Sequence, residues 1–248
     1  MVPIDLLIPL HDESRLAVVA MIAMVTQPHP PIRSFRVRRR RLSPARVDLY
    51  RELSARWSLP VDGDVLQWGD VFPTLRPPID VVLDIGFGGG EALIAMAAQR
   101  PNEAVVGVDV HTNGVVVVLE AIDRNDWQHV RVVESDVLEL LPRIPVASLK
   151  GVRMFFPDPW PKTSQRNRRL ARQEVIDDLV GALRIGGTLH VATDSVEYAE
   201  QVARLCGLQS RLRGGVVARP EWRPVTRFET RGLAEGREPI DLIYERIS

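Results

Sequence analysis

Asp158 stands between two prolines in the run Phe155-Phe156-Pro157-Asp158-Pro159-Trp160-Pro161-Lys162, where a carboxylate is set up for chemistry. Each proline fixes its own φ and restricts the residue before it, so the acid leaves the chain in a stiff loop. Trp160 follows, and Lys162, Arg166, Arg168 and Arg169 come within one or two helical turns. One acid, one indole and several cations suit an anionic polymer that carries flat bases. Without such a partner, the same residues read as a Pro-rich connection leading into a solvated basic helix.

A second group lies upstream. Asp84-Ile85-Gly86-Phe87-Gly88-Gly89-Gly90 closes an apolar run, and Glu91 opens an amphipathic one. Glycines there let the backbone turn sharply and let a ligand approach without a Cβ in the way. A nicotinamide fingerprint would place a third glycine at position 91, where Glu91 opposes a pyrophosphate at the helix start. The alternating Gly86, Gly88 and Gly90 behind Asp84 instead look like the S-adenosylmethionine site of Rossmann-like methyltransferases, whose ligand is cationic at its methionine end and has no phosphate. Asp109 ends the next apolar run about twenty residues on, where a carboxylate can accept ribose hydroxyls. Asp136 ends the third, in range of an adenine amino group. One such acid alone would read as a helix cap; three after successive strands beside a glycine loop point to a pocket.

The elements that must hold these groups are legible from residue 80 onward as buried apolar runs alternating with amphipathic stretches, the pattern of a parallel α/β sheet. The expected strands are 81–84, 104–108, 130–133, 151–156 and 188–192, with a last one at 241–245. Helices are expected over 91–99, 114–124, 168–183 and 196–205, with Gly186 and Gly187 ending the third of these. Ahead of them come a short helix over 49–57 and a loop-rich lead-in over 60–78; after Gly207 the pattern loosens.

The chain has 248 residues, zero formal net charge and 45% hydrophobic residues, enough for one α/β domain with a full core. Neutrality overall means that any nucleic-acid argument rests on where arginines cluster. They do so at Arg33, Arg36, Arg38 to Arg41 and Arg46, read either as a disordered solvated tail or as a phosphate contact. The division is an extension over 1–46 and a single domain over 47–248. Cys206 is the only cysteine, which excludes an intramolecular disulfide and fits a reducing, cytoplasmic setting. The apolar run 16–25 is too short to cross a bilayer and follows Asp12 and Glu13, so no membrane or targeting segment is expected. Met21 and Met24 are alternative starts. His111 lies near the pocket with no second His or Cys at ligand spacing, so no metal is expected.

The glycine loop, the FFPDPWPK loop, the ATDS run at 192–195 and the TRFETRG run at 226–232 occur in one order, and with them the chain resembles the tRNA (guanine-N7) methyltransferase family over most of residues 81–246. The resemblance implies a class I, Rossmann-like, mostly parallel seven-stranded sheet with helices on both faces and an antiparallel final strand. It implies S-adenosyl-L-methionine as cofactor and a guanine in the variable loop of tRNA as substrate, with methyl transfer to N7 by a monomer or weak homodimer. It makes Asp84, Gly86, Gly88, Gly90, Asp109, Asp136 and Asp158 cofactor-pocket positions, Asp158 also the catalytic acid. Lys162, Asp194, Thr226, Arg227, Phe228 and Glu229 face the substrate on the same basis. Asp84 and Asp109 stand where the family has glutamate, Gly89 where it has methionine, Ser195 where it has a larger residue, and Arg227 where it has lysine. These changes alter pocket dimensions more than chemistry. Trp160 is left as either a base-stacking or a core residue, and Glu229 and Asp241 as ligand contacts or arginine partners. Two rivals remain: a methyltransferase acting on another nitrogen of nucleic acid or protein, and a non-catalytic tRNA-binding module.

Overall fold

A computed structural model describes residues 42–248. The arginines from Arg33 to Arg41, the run 16–25 and both alternative methionine starts lie outside them. Among the described residues seven strands form one sheet: β1 (Val81–Ile85), β2 (Ala104–Asp109), β3 (Val130–Glu134), β4 (Leu149–Phe155), β5 (Leu183–Thr193), β6 (Leu212–Val217) and β7 (Ile240–Arg246). Their order is β3-β2-β1-β4-β5-β7-β6, with β7 antiparallel to both neighbours and the other named pairs parallel. The chain leaves β1 for β2 and β3 on one side, then crosses to β4 on the other. That switch leaves a crevice at the carboxyl ends of β1 and β4, the usual ligand position in an open sheet.

β1 and β2 are buried at every residue, as expected of parallel strands covered on both faces. On one face, Leu53 and Trp57 of α1 (Pro44–Trp57), Leu93 and Ala97 of α3 (Glu91–Gln99), and Val118 and Ile122 of α4 (Thr112–Asn125) pack with Val105, Val130 and Val132. The short α2 (Trp68–Val71) lies between α1 and β1 in sequence, and Phe72 after it enters the core with Leu83, Val106, Val152 and Met154. That second core also takes Ile176 and Leu179 of α6 (Gln173–Ala182) and Tyr198 and Val202 of α7 (Val196–Gly207). Each fully buried aliphatic side chain there contributes roughly 1.5–3 kcal/mol.

Asp84, Arg153 and His190 face one another across β1, β4 and β5 and so point to the same side of the sheet. No such polar row was expected. Arg153 pairs with Glu103, and the Trp222 ring meets His190 edge to face, centroids 5.3 Å apart, with the Arg153 guanidinium 5.2 Å from its centre. Beside it Arg223, 0% exposed, donates from Nη1 to Glu229 Oε2 at 2.8 Å and from Nη2 to Glu229 Oε1 at 3.0 Å and Asp241 Oδ2 at 2.9 Å. His190 Nε2 lies 2.7 Å from Asp241 Oδ1. Burial alone would raise the Asp241 carboxyl, but the His190 and Arg223 contacts hold it below the usual range.

Several boundaries differ from the sequence reading. The helix expected over 168–183 begins only at Gln173, after a 3-10 stretch, Thr163–Arg168. Arg169 explains the interruption: its buried guanidinium donates to Pro159 O at 2.7 Å and Trp160 O at 3.2 Å, which draws the chain off the helical path. Gly186 and Gly187 do not end that helix but lie within β5, where the register against β4 shifts. β6 escaped notice because its sequence, LRGGVV, is an exposed edge with no alternation. Helices α5 (Val137–Leu140) and α8 (Arg227–Ala234) were also not expected; α8 is started by a capping box between Thr226 and Glu229.

The Arg223 cluster yields a test of stability. Arg223→Met would leave the Glu229 and Asp241 carboxylates buried without their cation, and urea unfolding should show a loss of about 3–5 kcal/mol. A loss below about 1 kcal/mol would mean that the two acids find other partners.

Candidate active site

The crevice beside the β1–β4 switch is a cavity of about 330 Å³. Its floor is Asp84 and Ile85 at the end of β1 and the glycine loop after them; Val108 to His111 come from the end of β2, Ser135 to Val137 from beyond β3, and Phe155 to Asp158 from the end of β4. Thr226, Arg227 and Phe228 close one side. Gly88 and Gly90 have φ of 58° and 86°, backbone that disfavours a side chain. Gly114 is a glycine for another reason: a Cβ there would stand 1.8 Å from Gly88 O, so only a bare backbone lets α4 approach the loop.

Asp109 fastens the loop from the neighbouring strand. Its Oδ2 accepts from Gly88 N at 2.7 Å and its Oδ1 from His111 N at 2.7 Å, with His111 Nδ1 at 2.9 Å. The carboxylate has lone pairs beyond these, so orienting the loop and accepting from a ligand are compatible. Asp136 also has a structural role, since it caps α5 by accepting from Leu138 N at 3.2 Å while lining the cavity. The capping and the pocket readings of that residue thus coexist.

Asp84 differs from both. It is buried, and its Oδ2 has no hydrogen-bond partner among the described residues. Burial pushes its carboxyl up to about 6; Arg153 offsets part of that rise, while Asp109 and Glu103 add to it. A buried acid with one oxygen left without a hydrogen bond at the floor of a cavity can accept from a cationic ligand group.

Asp158 is exposed and lines the same cavity. The loop that carries it is strained on either side, at Phe156 with φ 53° and Trp160 with φ 40°. Trp160 is only 2% exposed, with the Arg168 guanidinium 5.0 Å from its ring, so it belongs to the packing of the loop and offers no face to a base. Arg169 is likewise buried, which removes it from the expected phosphate contacts; Lys162, Arg166 and Arg168 stay exposed, Arg166 in a surface ion pair with Glu197 at 2.7 Å.

The positions expected to face a substrate divide. Thr226, Arg227 and Phe228 line the cavity, and Arg227 Nε pairs with Glu91 Oε1 at 2.8 Å. Glu229 does not line it: its carboxylate is taken by Arg223, so the alternative of an arginine partner is the one realised for both Glu229 and Asp241. Lys162 and Asp194 also lie outside the lining; Asp194 accepts from Arg237 Nε at 2.7 Å. Glu91, Phe156 and Leu170 line the cavity without having been foreseen. A sequence signal existed only for Glu91, whose place after the glycines was read for what it excludes. Among the described residues no group of three or more His, Cys, Asp or Glu could hold a metal, and no helix is long and apolar enough to cross a membrane.

A family model described as "Putative methyltransferase" matches residues 79–242. A tRNA (guanine-N(7)-)-methyltransferase of Nitrosospira multiformis is 37% identical over 88% of this chain and 96% of its own. One of Streptomyces avermitilis is 39% identical over 87% of this chain and 76% of its own. The solved structure of a 30S ribosomal A1408 methyltransferase from an uncultured bacterium shares the fold, at 12% identity and a TM-score of 0.53 over 75% of this chain and 95% of that one. With its glycine loop, its Pro-Asp-Pro acid and its α8 segment gathered on one cavity, the chain belongs to the tRNA (guanine-N(7)-)-methyltransferase family.

Proposed function

We propose that this protein transfers a methyl group from S-adenosylmethionine to N7 of a guanine in the variable loop of tRNA. The observation that carries the reading is the buried Asp84 carboxylate, its Oδ2 without a hydrogen bond, at the floor of a cavity whose lining includes Asp158. The residues present fit the cofactor, because an orphaned buried acid answers a cationic amino-acid group. When bound, S-adenosylmethionine supplies an activated methyl on a positively charged sulfur. Asp84 would hold the cationic end, Asp109 would accept from ribose hydroxyls while keeping the glycine loop in place, and Asp136 would receive the adenine amino group. The buried free thiol of Cys206, pushed up to about 12 by burial, fits a reducing cytoplasm.

Guanine N7 carries a free lone pair on its major-groove edge, so no proton must be removed before transfer. What the chain must do is align the base and meet the charge that develops on it. Asp158 is placed to meet that charge, since a carboxylate beside the purine can accept its N1 and N2 protons or oppose its growing positive charge. Lys162 and Arg168, both exposed beyond that loop, are available to phosphates. Residues 47–248 are the unit to which we assign this activity.

Three outcomes test this reading. Labelled methyl should pass from the cofactor to an unmodified tRNA transcript and not to one whose variable-loop guanine is 7-deazaguanine; label on both would move the acceptor to another atom. Asp158→Ala should lower kcat by about 10²-fold or more with cofactor affinity kept, and unchanged turnover would remove Asp158 from the chemistry. For Asp84 the sign follows from linkage: its folded pKa of about 6 lies above its ordinary 3.8, so its contribution to stability is present below that ordinary value and lost as pH rises through 6. Ligand-free Asp84→Asn should therefore melt about 5 °C above wild type at pH 8, with the gap closing toward pH 4, yet bind cofactor more weakly. Equal melting at pH 8 would show that the acid is compensated in the ligand-free protein.

A further inference from the structure

We propose that Phe228 is the aromatic face on which the acceptor guanine stacks, and that its π-electrons stabilise the positive charge the purine gains on methylation; this rests on the N7 reading above. Phe228 lines the cavity and, at 58% exposed, is the one aromatic ring among the exposed large hydrophobic side chains of the described residues. Phe87, Phe155 and Phe156 also line the cavity, but each is less exposed and has a contact of its own. Phe87 belongs to the core of the first sheet face, Phe155 lies 4.9 Å from His190 in an edge contact, and Phe156 has the Arg223 guanidinium 5.7 Å from its ring. Trp160, the indole that the sequence offered for stacking, is buried in its loop.

Exposure does not leave Phe228 loosely placed. It sits in the first turn of α8, where Thr226 accepts from Glu229 N at 3.1 Å and the Glu229 carboxylate is gripped by buried Arg223. On its other side Arg227 pairs with Glu91 at the start of α3. A Cβ at Gly88 would stand 3.6 Å from Phe228 Cε2, so the ring reaches the edge of the glycine loop. The fold thus presents a bare ring from a clamped backbone, in the same cavity as Asp158.

The charge flow explains why a ring would matter there. The N7 lone pair forms the new N–CH3 bond as the S–CH3 bond breaks, and the electron pair of the broken bond stays on sulfur. Positive charge passes to the purine, and no proton leaves. An aromatic face attracts a cationic ring more than a neutral one, so the contact strengthens along the reaction, which is the condition for it to raise kcat.

The test uses the full chain as wild type, Phe228→Leu, Phe228→Ala and Phe228→Tyr. Methyl transfer is measured to the normal and 7-deazaguanine transcripts, together with cofactor affinity and, in the presence of S-adenosylhomocysteine, affinity for 7-methylguanosine monophosphate against guanosine monophosphate. Leucine and alanine should each lower kcat about tenfold and abolish the preference for the methylated nucleotide, whereas tyrosine keeps both and cofactor affinity stays constant throughout. Phe228→Leu with wild-type kcat and preference would overturn the proposal alone. A loss confined to cofactor affinity would also overturn it, making the ring a cover for the cofactor. If the wild type itself fails to discriminate the 7-deazaguanine transcript, the N7 reading fails and the stacking proposal falls with it.

Discussion

Arg223 is a guanidinium sealed from water between two carboxylates, and much of the site depends on that arrangement. Glu229 belongs to α8 and Asp241 to β7, so one buried cation joins the segment at the cavity wall to the strand that returns into the sheet. A buried ion pair is weak evidence for stability, because desolvation of the charges consumes much of their attraction. Its value lies in geometry. The bidentate contact fixes Glu229, Glu229 completes the capping box with Thr226, and the box sets where α8 begins. Residues 226 to 228 reach the cavity because the turn behind them is clamped.

A contrasting economy governs Asp84. The Arg223 cluster satisfies its carboxylates internally, whereas Asp84 is buried with one oxygen unpartnered and its carboxyl driven toward neutrality. Such a residue lowers the stability of the ligand-free fold at neutral pH. The penalty becomes intelligible if a cation completes the site, since the unpaired acid then contributes to binding what it withholds from folding. Asp109 takes the intermediate course, hydrogen-bonded to Gly88 N and His111 N yet lining the cavity.

What the sequence made legible follows from which forces are local. The parallel strands β1 to β4 show as apolar runs because both faces are covered, and the glycine loop shows because its backbone excludes side chains there. The acids at the strand ends could be placed on one cavity since open sheets bind ligands at that edge. In the later third, the stretch between α7 and β7 resisted. β6 is an exposed edge strand without alternation, and Arg223 lies in an Arg- and Pro-rich stretch whose role arises only when α8 and β7 close around it. Arg169 read as a surface cation and Trp160 as either a stacking or a core residue, but mutual packing buries both, and that burial interrupts the helix expected from residue 168. Local spacing gave a basic cluster; tertiary contact divided it into structural and exposed members.

The reaction also limits what the titratable groups on the acceptor side must do. N7 needs no base, so nothing there has to exchange a proton in step with transfer, and Asp158 can act as a fixed charge. The carboxyl that burial pushes toward neutrality lies instead in β1, just ahead of the glycine loop. Protonation of Asp84 would weaken binding without touching the chemistry of the base. With the roles proposed for these two acids, positive charge would enter the site facing Asp84 and finish on the purine beside Asp158. Catalysis of this kind depends on alignment, which is why the groups around the cavity are fastened by contacts outside it: Gly88 by Asp109, the Asp158 loop by Arg169, and α8 by Arg223.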